Sequence, residues 1–395
     1  MILKNDILRS ARTLTSAFLA LSLFSACSSD VQEEGGGSVS ADLPIVLQGS
    51  ISMIDGTGMR STEAGTTHIT AQGGNQVLAA GSNVDLFLEE VGGGTTYTGQ
   101  KFFLKTTDPS GDGSSGIGNF SFFTDEARTA GNEVMRYWPA SGAGLYFFAY
   151  YPAGVIANPV THETTTAQTF TVGADQGAEG GSNANDLLFG IPSATNPVAR
   201  PEATTMAAPA VNLNFKHCLS KVVVVLKGDG HGIGNGEAGG PESGENSHKN
   251  GYDQFGVDQF SSATITLGTT GDMYLQASVI PSTGVATALT TGDKGVYTLK
   301  SETAVSTDDH AYYCILPPQQ LTDRKINLTL KDGGEKSFTI PQVDTDGDGT
   351  PDAPLTTVGG KSYIYTIEVG LYSISVTSTV GDWDSEDVAG GTLKY

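Results

Sequence analysis

Val211-Asn212-Leu213-Asn214-Phe215 alternates apolar and polar side chains, and Leu219-Ser220-Lys221-Val222-Val223-Val224-Val225-Leu226-Lys227 follows with hardly a break in apolar character. A period of two is the mark of a strand with one buried face, and a run of β-branched residues apolar on both sides marks a central or sandwiched strand. Working outward, the same signals recur. Strands are expected at Val84–Leu88, Gln100–Lys105, Asn119–Phe123, Val134–Trp138 and Leu145–Tyr151 before this stretch. After it they are expected at Ala263–Leu267, Met273–Ala277, Ala311–Leu316, Lys325–Lys331, Lys336–Pro341, Lys361–Val369 and Leu371–Thr377. Gly, Asn, Asp and Ser clusters separate them, and no long segment carries a 3.6-residue period, so the fold class is all-β. Residues 153–210 read as mostly polar loop, and residues 228–258 as a Gly-rich insertion. Pro- and Ala-rich residues 197–209 suggest a boundary near residue 205, with one β-rich domain over 44–205 and a second over 206–395.

The first strand expected is Ile45–Ile54, with Ile45, Leu47, Ile51 and Met53 on one face and Gly49 between them. Upstream, Lys4, Arg9 and Arg12 precede an apolar run from Leu14 to Phe24, and Ser25 and Ala26 stand before Cys27. Residues 1–26 have the form of a signal peptide, too short and wrongly flanked for a membrane span. Leu23-Phe24-Ser25-Ala26-Cys27 resembles a bacterial lipobox, with Phe24 in place of the usual Leu or Val, and assigns lipidation to Cys27. Residues 27–43, polar and Gly-rich, read as a flexible tether. Acidic residues close to Cys27 resemble the surface-export signals of lipoproteins.

The chain carries a formal net charge of −22 over 395 residues, and the basic leader leaves the remainder near −24. Such a surface repels phosphate backbones and excludes nucleic acid as a partner. No nucleophile elbow, paired metal-binding histidines or phosphate loop is present, so no enzyme is expected. Lys105, Lys216 and Lys221 read as solvated charges beside strands. Trp138 and Trp383 offer either core packing or a sugar platform. Asp344-Thr345-Asp346-Gly347-Asp348-Gly349-Thr350-Pro351-Asp352 places oxygen donors at alternate positions with glycine at the sixth, and resembles the first nine positions of calcium loops. Asp344, Asp346, Asp348, Thr350 and Asp352 are the candidate calcium ligands, although Leu355 stands where an EF-hand has its bidentate Glu. The other reading is an acidic turn between strands. Cys218 and Cys314 lie in or beside strands of the second half and are candidates for a disulfide or for buried thiols.

Phe215-Lys216-His217-Cys218-Leu219-Ser220-Lys221-Val222 resembles the F-x-H-x-L-[AS]-K-[LIV] strand of the fimbrillin family. In the same order along the chain, Tyr146–Pro152, Asp186-Leu187-Leu188-Phe189-Gly190, Leu316-Pro317-Pro318-Gln319, Gly360–Tyr365 and Val380-Gly381-Asp382-Trp383 are similar to further motifs of that family. The resemblance implies two transthyretin-like β-sandwich domains in a type V pilin. It also implies export as a lipoprotein to the outer membrane, proteolytic removal of the first strand after an Arg, and polymerisation with other fimbrial subunits by strand exchange. The matching basic residue is Arg60, so Ser61 becomes the new first residue. A monomeric surface lipoprotein binding glycan or host protein is the alternative.

Overall fold

The computed structural model describes residues 43–51, 69–72, 75–107, 118–177, 185–202, 209–228, 263–269, 271–302, 310–329, 334–343, 350–369, 374–382 and 392–393. These residues form strands, turns and loops, with no α-helix among them.

The valine run decides the second half as its sequence predicts. Strands of the first half are β1 (Leu47–Ile51), β2 (Ile69–Gln72), β3 (Asn75–Leu78), β4 (Asn83–Glu90), β5 (Gln100–Thr107) and β6 (Gly118–Phe123). They continue with β7 (Glu133–Val134), β8 (Leu145–Tyr151), β9 (Gln168–Thr171), β10 (Leu188–Pro192) and β11 (Val211–His217). The second half begins with β12 (Ser220–Gly228), β13 (Thr264–Leu267), β14 (Met273–Tyr274), β15 (Gln276–Ile280) and β16 (Val285–Ala288). Next come β17 (Lys294–Gly295), β18 (Tyr297–Thr298), β19 (Lys300–Glu302), β20 (His310–Leu316) and β21 (Lys325–Thr329). The last are β22 (Glu335–Thr339), β23 (Lys361–Val369), β24 (Ile374–Asp382) and β25 (Thr392–Leu393).

β12 lies between antiparallel β20 and parallel β23 in a six-stranded sheet. Val222, Val224 and Leu226 are fully buried on one face, while Val223 packs with Ala311 and Tyr313 on the other. Apolar side chains on both faces are what a central strand requires. A four-stranded sheet in the order β18-β13-β21-β22 supplies Ile265, Leu267, Ile326 and Leu328 to the same core. The result is a sandwich of facing sheets.

The first half is a ten-stranded sheet in the order β2-β3-β1-β11-β10-β8-β4-β5-β6-β7, and β1 also pairs with β6. That extra pairing bends the sheet round until it closes. Leu86, Leu88, Leu104, Phe147, Leu188 and Leu213 fill its interior. The outer face of β4, β8 and β10 is apolar as well: Phe87, Phe148, Tyr150 and Phe189 join the core of the second half. The Tyr150 hydroxyl donates to the Pro281 carbonyl. Gln176, fully buried, donates from Nε2 to the Ile315 carbonyl at 2.7 Å and accepts from the Ile315 amide at 2.9 Å, standing in for a neighbouring strand. From Ala41 onward the chain is one compact unit.

Several sequence expectations shift. β11 follows the boundary expected at residue 205, yet it pairs with β1 and β10 in the first sheet, so sheet membership changes at Cys218–Leu219. β9 lies in the stretch read as loop and pairs with β15 of the second half, with Phe170 opposite Ala277. Only Phe170 of its four residues is buried, too little apolar pattern to betray a strand. The last long strand expected at Leu371–Thr377 continues to Asp382, because β24 pairs with β23 over its whole length. Lys221 is buried, with its ammonium 4.8 Å from the centre of the Tyr313 ring, in place of the solvated charge expected; Lys216 is exposed.

One charged pair is set into the first sheet. Asp85 and Arg128 are 1% and 3% exposed, and the Arg128 Nη2 to Asp85 Oδ1 distance is 2.6 Å. Arg128 Nε donates to the Leu104 carbonyl at 2.7 Å and Nη2 to that of Val84 at 2.9 Å, while the Gly154 amide donates to Asp85 Oδ2 at 2.7 Å. The pair thus ties β4, β5, the turn carrying Arg128 and the turn after β8 together. Removing one member of such a pair strands a charge in a site closed to water. Asp85→Ala is expected to lower unfolding free energy by about 3–5 kcal/mol, read as a lower urea midpoint at unchanged slope; a midpoint equal to wild type would show that the pair is not a tie.

Candidate functional site

The candidate site is the slot that β1 fills. The segment enters at Leu43, whose carbonyl accepts from the Trp138 amide at 2.8 Å, and the Ile45 amide donates to the Arg136 carbonyl at 2.7 Å. It then runs between two strands that do not pair with each other. On one side Leu47–Ile51 lie parallel to Val211–Phe215, and on the other Leu47–Gly49 lie antiparallel to Phe120–Gly118. Both backbone edges of β1 are therefore engaged.

Its side chains follow the period of two. Leu43, Ile45, Leu47 and Ile51 are buried at 6%, 5%, 1% and 2% exposure and point into the interior of the first sheet. Val46, Gln48 and Ser50 face outward or lie half-covered. Four large apolar side chains thus anchor a segment only nine residues long, each worth about 1.5–3 kcal/mol of transfer from water. Leu43 was expected to be the last tether residue and is part of the plug. Met53, expected on the same face, lies outside the described residues.

The aromatic surroundings are dense. Phe120 and Phe215 flank Gly49 with ring centroids 6.0 Å apart. Where the chain enters, a shallow groove is lined by Pro44, Ile45, Val46, Phe120, Phe122 and Met135, and Val46 and Met135 stay exposed in it. Trp138 is 3% exposed and packs edge-on to Phe147 at 6.0 Å, which settles it as core and not a sugar platform.

The family model described as "Fimbrillin-like" matches residues 95–383, most of the chain. The chain belongs to the fimbrillin-like family. Among solved structures, a proposed cell adhesion protein from Bacteroides ovatus is 15% identical, covers 88% of this chain and 100% of its own, and superimposes with a TM-score of 0.54. A second such protein, from Bacteroides uniformis, is 17% identical, covers 86% and 98%, and gives 0.50. The tip fimbrial protein Mfa3 from Porphyromonas gingivalis is 12% identical, covers 87% and 100%, and gives 0.46. No curated protein matches the chain. Fimbrillin-like chains are structural and adhesion proteins of cell-surface appendages, not enzymes, and this one shares their all-β sandwich fold.

The remaining expected sites fall as follows in this fimbrillin-like chain. Cys27, Arg60, Ser61, Asp344, Asp346, Asp348 and Trp383 lie outside the described residues, as do the signal peptide, most of the tether and most of the 228–258 insertion. Thr350 and Asp352 are exposed at the exit of the acidic loop. At its neck the Val343 amide donates to the Ala353 carbonyl at 2.8 Å, and the Ala353 and Asp352 amides donate back to the Val343 carbonyl. Among the described residues no group of three His, Cys, Asp or Glu side chains is placed to hold a metal. Cys218 and Cys314 are both buried free thiols, so the disulfide considered is not formed here. Cys314 pairs across the sheet with Val222, while Cys218 lies before β12 begins. Burial pushes both thiols well above their usual range, and the nearby Asp186 carboxylate adds to this at Cys218.

Sequence reading missed the pair next to them. His217 Nδ1 lies 2.8 Å from Asp186 Oδ1, with both side chains 2% exposed. The signal was a polar residue at a position where alternation demands a buried one. The plug yields a direct prediction. Leu47→Ala is expected to cost about 2–5 kcal/mol in urea unfolding of the uncut chain, and Gln48→Ala within about 0.5 kcal/mol of zero. Equal effects at the two positions would mean that β1 is not seated by its inward face.

Proposed function

We propose that this fimbrillin-like chain is a structural subunit of a surface fimbria, exported as a lipoprotein on Cys27 to the outer membrane, cut after Arg60 and polymerised by strand replacement, in support of adhesion. The observation that carries the reading is β1 itself. It lies upstream of Arg60 and is held between β6 and β11 by pairing on both edges, with Leu47 and Ile51 buried in the strand and Leu43 and Ile45 buried in the residues that lead into it. Cutting at Arg60 separates those residues covalently from the rest. Their departure would leave an apolar groove flanked by two strands with unpaired backbone groups. Such an edge pairs with any suitable extended segment, which is how β-augmentation joins pilin subunits in general.

Arg60→Ala is expected to give a full-length, lipid-anchored monomer that retains residues 43–51 and forms no polymer. Wild type treated with an Arg-specific protease is expected to yield a fragment beginning at Ser61 and SDS-resistant ladders. Polymerisation of Arg60→Ala with the N-terminal segment still attached would make cleavage irrelevant and favour a monomeric surface protein that binds glycan or host protein.

The acidic loop enters the same reading as a structural calcium site. The Val343–Ala353 pairing brings the two ends of the loop together, and alternate oxygen donors suit a hard cation. A cation that binds only the folded state raises its melting temperature. Wild type is expected to melt a few degrees higher with calcium than with chelator, and Asp346→Ala combined with Asp348→Ala is expected to remove that difference. Identical wild-type melting curves in the two conditions would dispose of the calcium site.

A further inference from the structure

The occupant of the slot is defined most tightly at its centre. A Cβ placed on Gly49 would lie 2.5 Å from Phe120 Cε2, 2.9 Å from Phe120 Cζ and 3.2 Å from Phe215 Cε2. Interiors are close-packed, and contacts under 3.0 Å force something to move. Phe215 has no room to do so, and Phe120 can yield only toward the groove it lines. Phe215 is 1% exposed, and on its other side it covers Gly190, where an added Cβ would meet Phe215 Cδ1, Cε1 and Cζ at 2.7–2.9 Å. Phe120 is 9% exposed and packs against Phe215. Phe215 thus lies over one glycine on β10 and one on β1, and turning away from either drives it into the other.

The crowding is local. Gly118, the partner of Gly49 on β6, would place a Cβ no closer than 3.8 Å to any neighbour. Two positions to either side of Gly49, Leu47 and Ile51 fill the interior at 1% and 2% exposure. The occupant is therefore large apolar, any residue, glycine, any residue, large apolar. That pattern is the same read forwards or backwards, so it does not depend on whether the strand runs parallel to β11 or against it.

We propose that the slot between β6 and β11 selects its strand by a glycine: a segment of another subunit that replaces β1 carries Gly between the Phe120 and Phe215 rings, with a large apolar residue two positions away on each side. This rests on the strand-replacement reading above and adds the chemistry of the partner. A segment with the right hydrophobic alternation but a side chain at the centre is refused.

The test uses the full chain, cut after Arg60 in its folded state and kept too dilute for subunits to exchange strands, so that the N-terminal fragment stays seated without a covalent link. Synthetic peptides with the sequence of residues 43–51, in the native form or with Gly49→Ala, compete for the slot, and release of the fragment is measured. The native peptide is expected to displace it, and the alanine peptide to need about tenfold or more higher concentration. Cutting a Phe120→Ala chain is expected to narrow that gap. Equal displacement by the two peptides overturns the glycine rule and leaves strand replacement standing. No displacement by either peptide overturns both. The uncut chain gives a reading free of exchange. Gly49→Ala there is expected to melt below wild type, and a wild-type melting curve would overturn the rule whatever the peptides do.

Discussion

Everything in the first half depends on one strand being paired along both edges. β6 and β11 do not pair with each other; each meets β1. Take β1 away on paper and a closed sheet becomes an open one with two facing edges and an exposed apolar interior. β4, β8 and β10, by contrast, keep their place through the second core as well. That closure is made by a short segment, five residues of strand with Leu43 and Ile45 leading in.

The rest of the molecule is rigid in a way that suits this arrangement. β4 and β8 are buried on both faces, one face inside the first sheet and the other against the second half. Tyr150 and Gln176 add hydrogen bonds from first-half residues to carbonyls and an amide of the second. Strain introduced at the slot has nowhere to dissipate by hinging of the halves. A force-bearing subunit of a filament needs that property, since a hinge beside the joint would stretch before the joint did.

Much of the fold was legible. The valine run gave β12 its central place, the alternation of Ile326 and Leu328 gave β21, and the apolar face of Ile45, Leu47 and Ile51 gave the plug. The unread parts share a cause. β9 buries one side chain of four, and β2 and β3, ITAQ and NQVL, are only four residues each with two apolar side chains apiece, too short for hydrophobic periodicity to register. β9 is imposed by a partner distant in sequence, β15, whereas β2 and β3 pair with each other as a short hairpin. Asp85 and His217 sit in strands whose neighbours are apolar; a charge in such a place is affordable only with a dedicated partner, and Arg128 and Asp186 cannot be named without coordinates. The aromatic clamp on Gly49 was hidden for the same reason. The glycine was visible, but the two rings that require it come from β6 and β11.

The parallel pairing of Leu47 with Val211 also sets an order of events. Contacts between residues so far apart along the chain pay a large loop-closure entropy before they return anything, and they form late. A chain emerging from the ribosome presents β1 first and β11 long afterwards. The earliest of these strands thus waits for β11, the last strand of its own sheet to be made. Until then residues 43–51 are a solvent-exposed apolar ribbon, and the half-built sheet holds a vacancy that any other ribbon of the right shape can enter. Keeping its own first strand nearby at high effective concentration, tethered by the intervening chain, is what lets a single molecule win that race before a neighbour does.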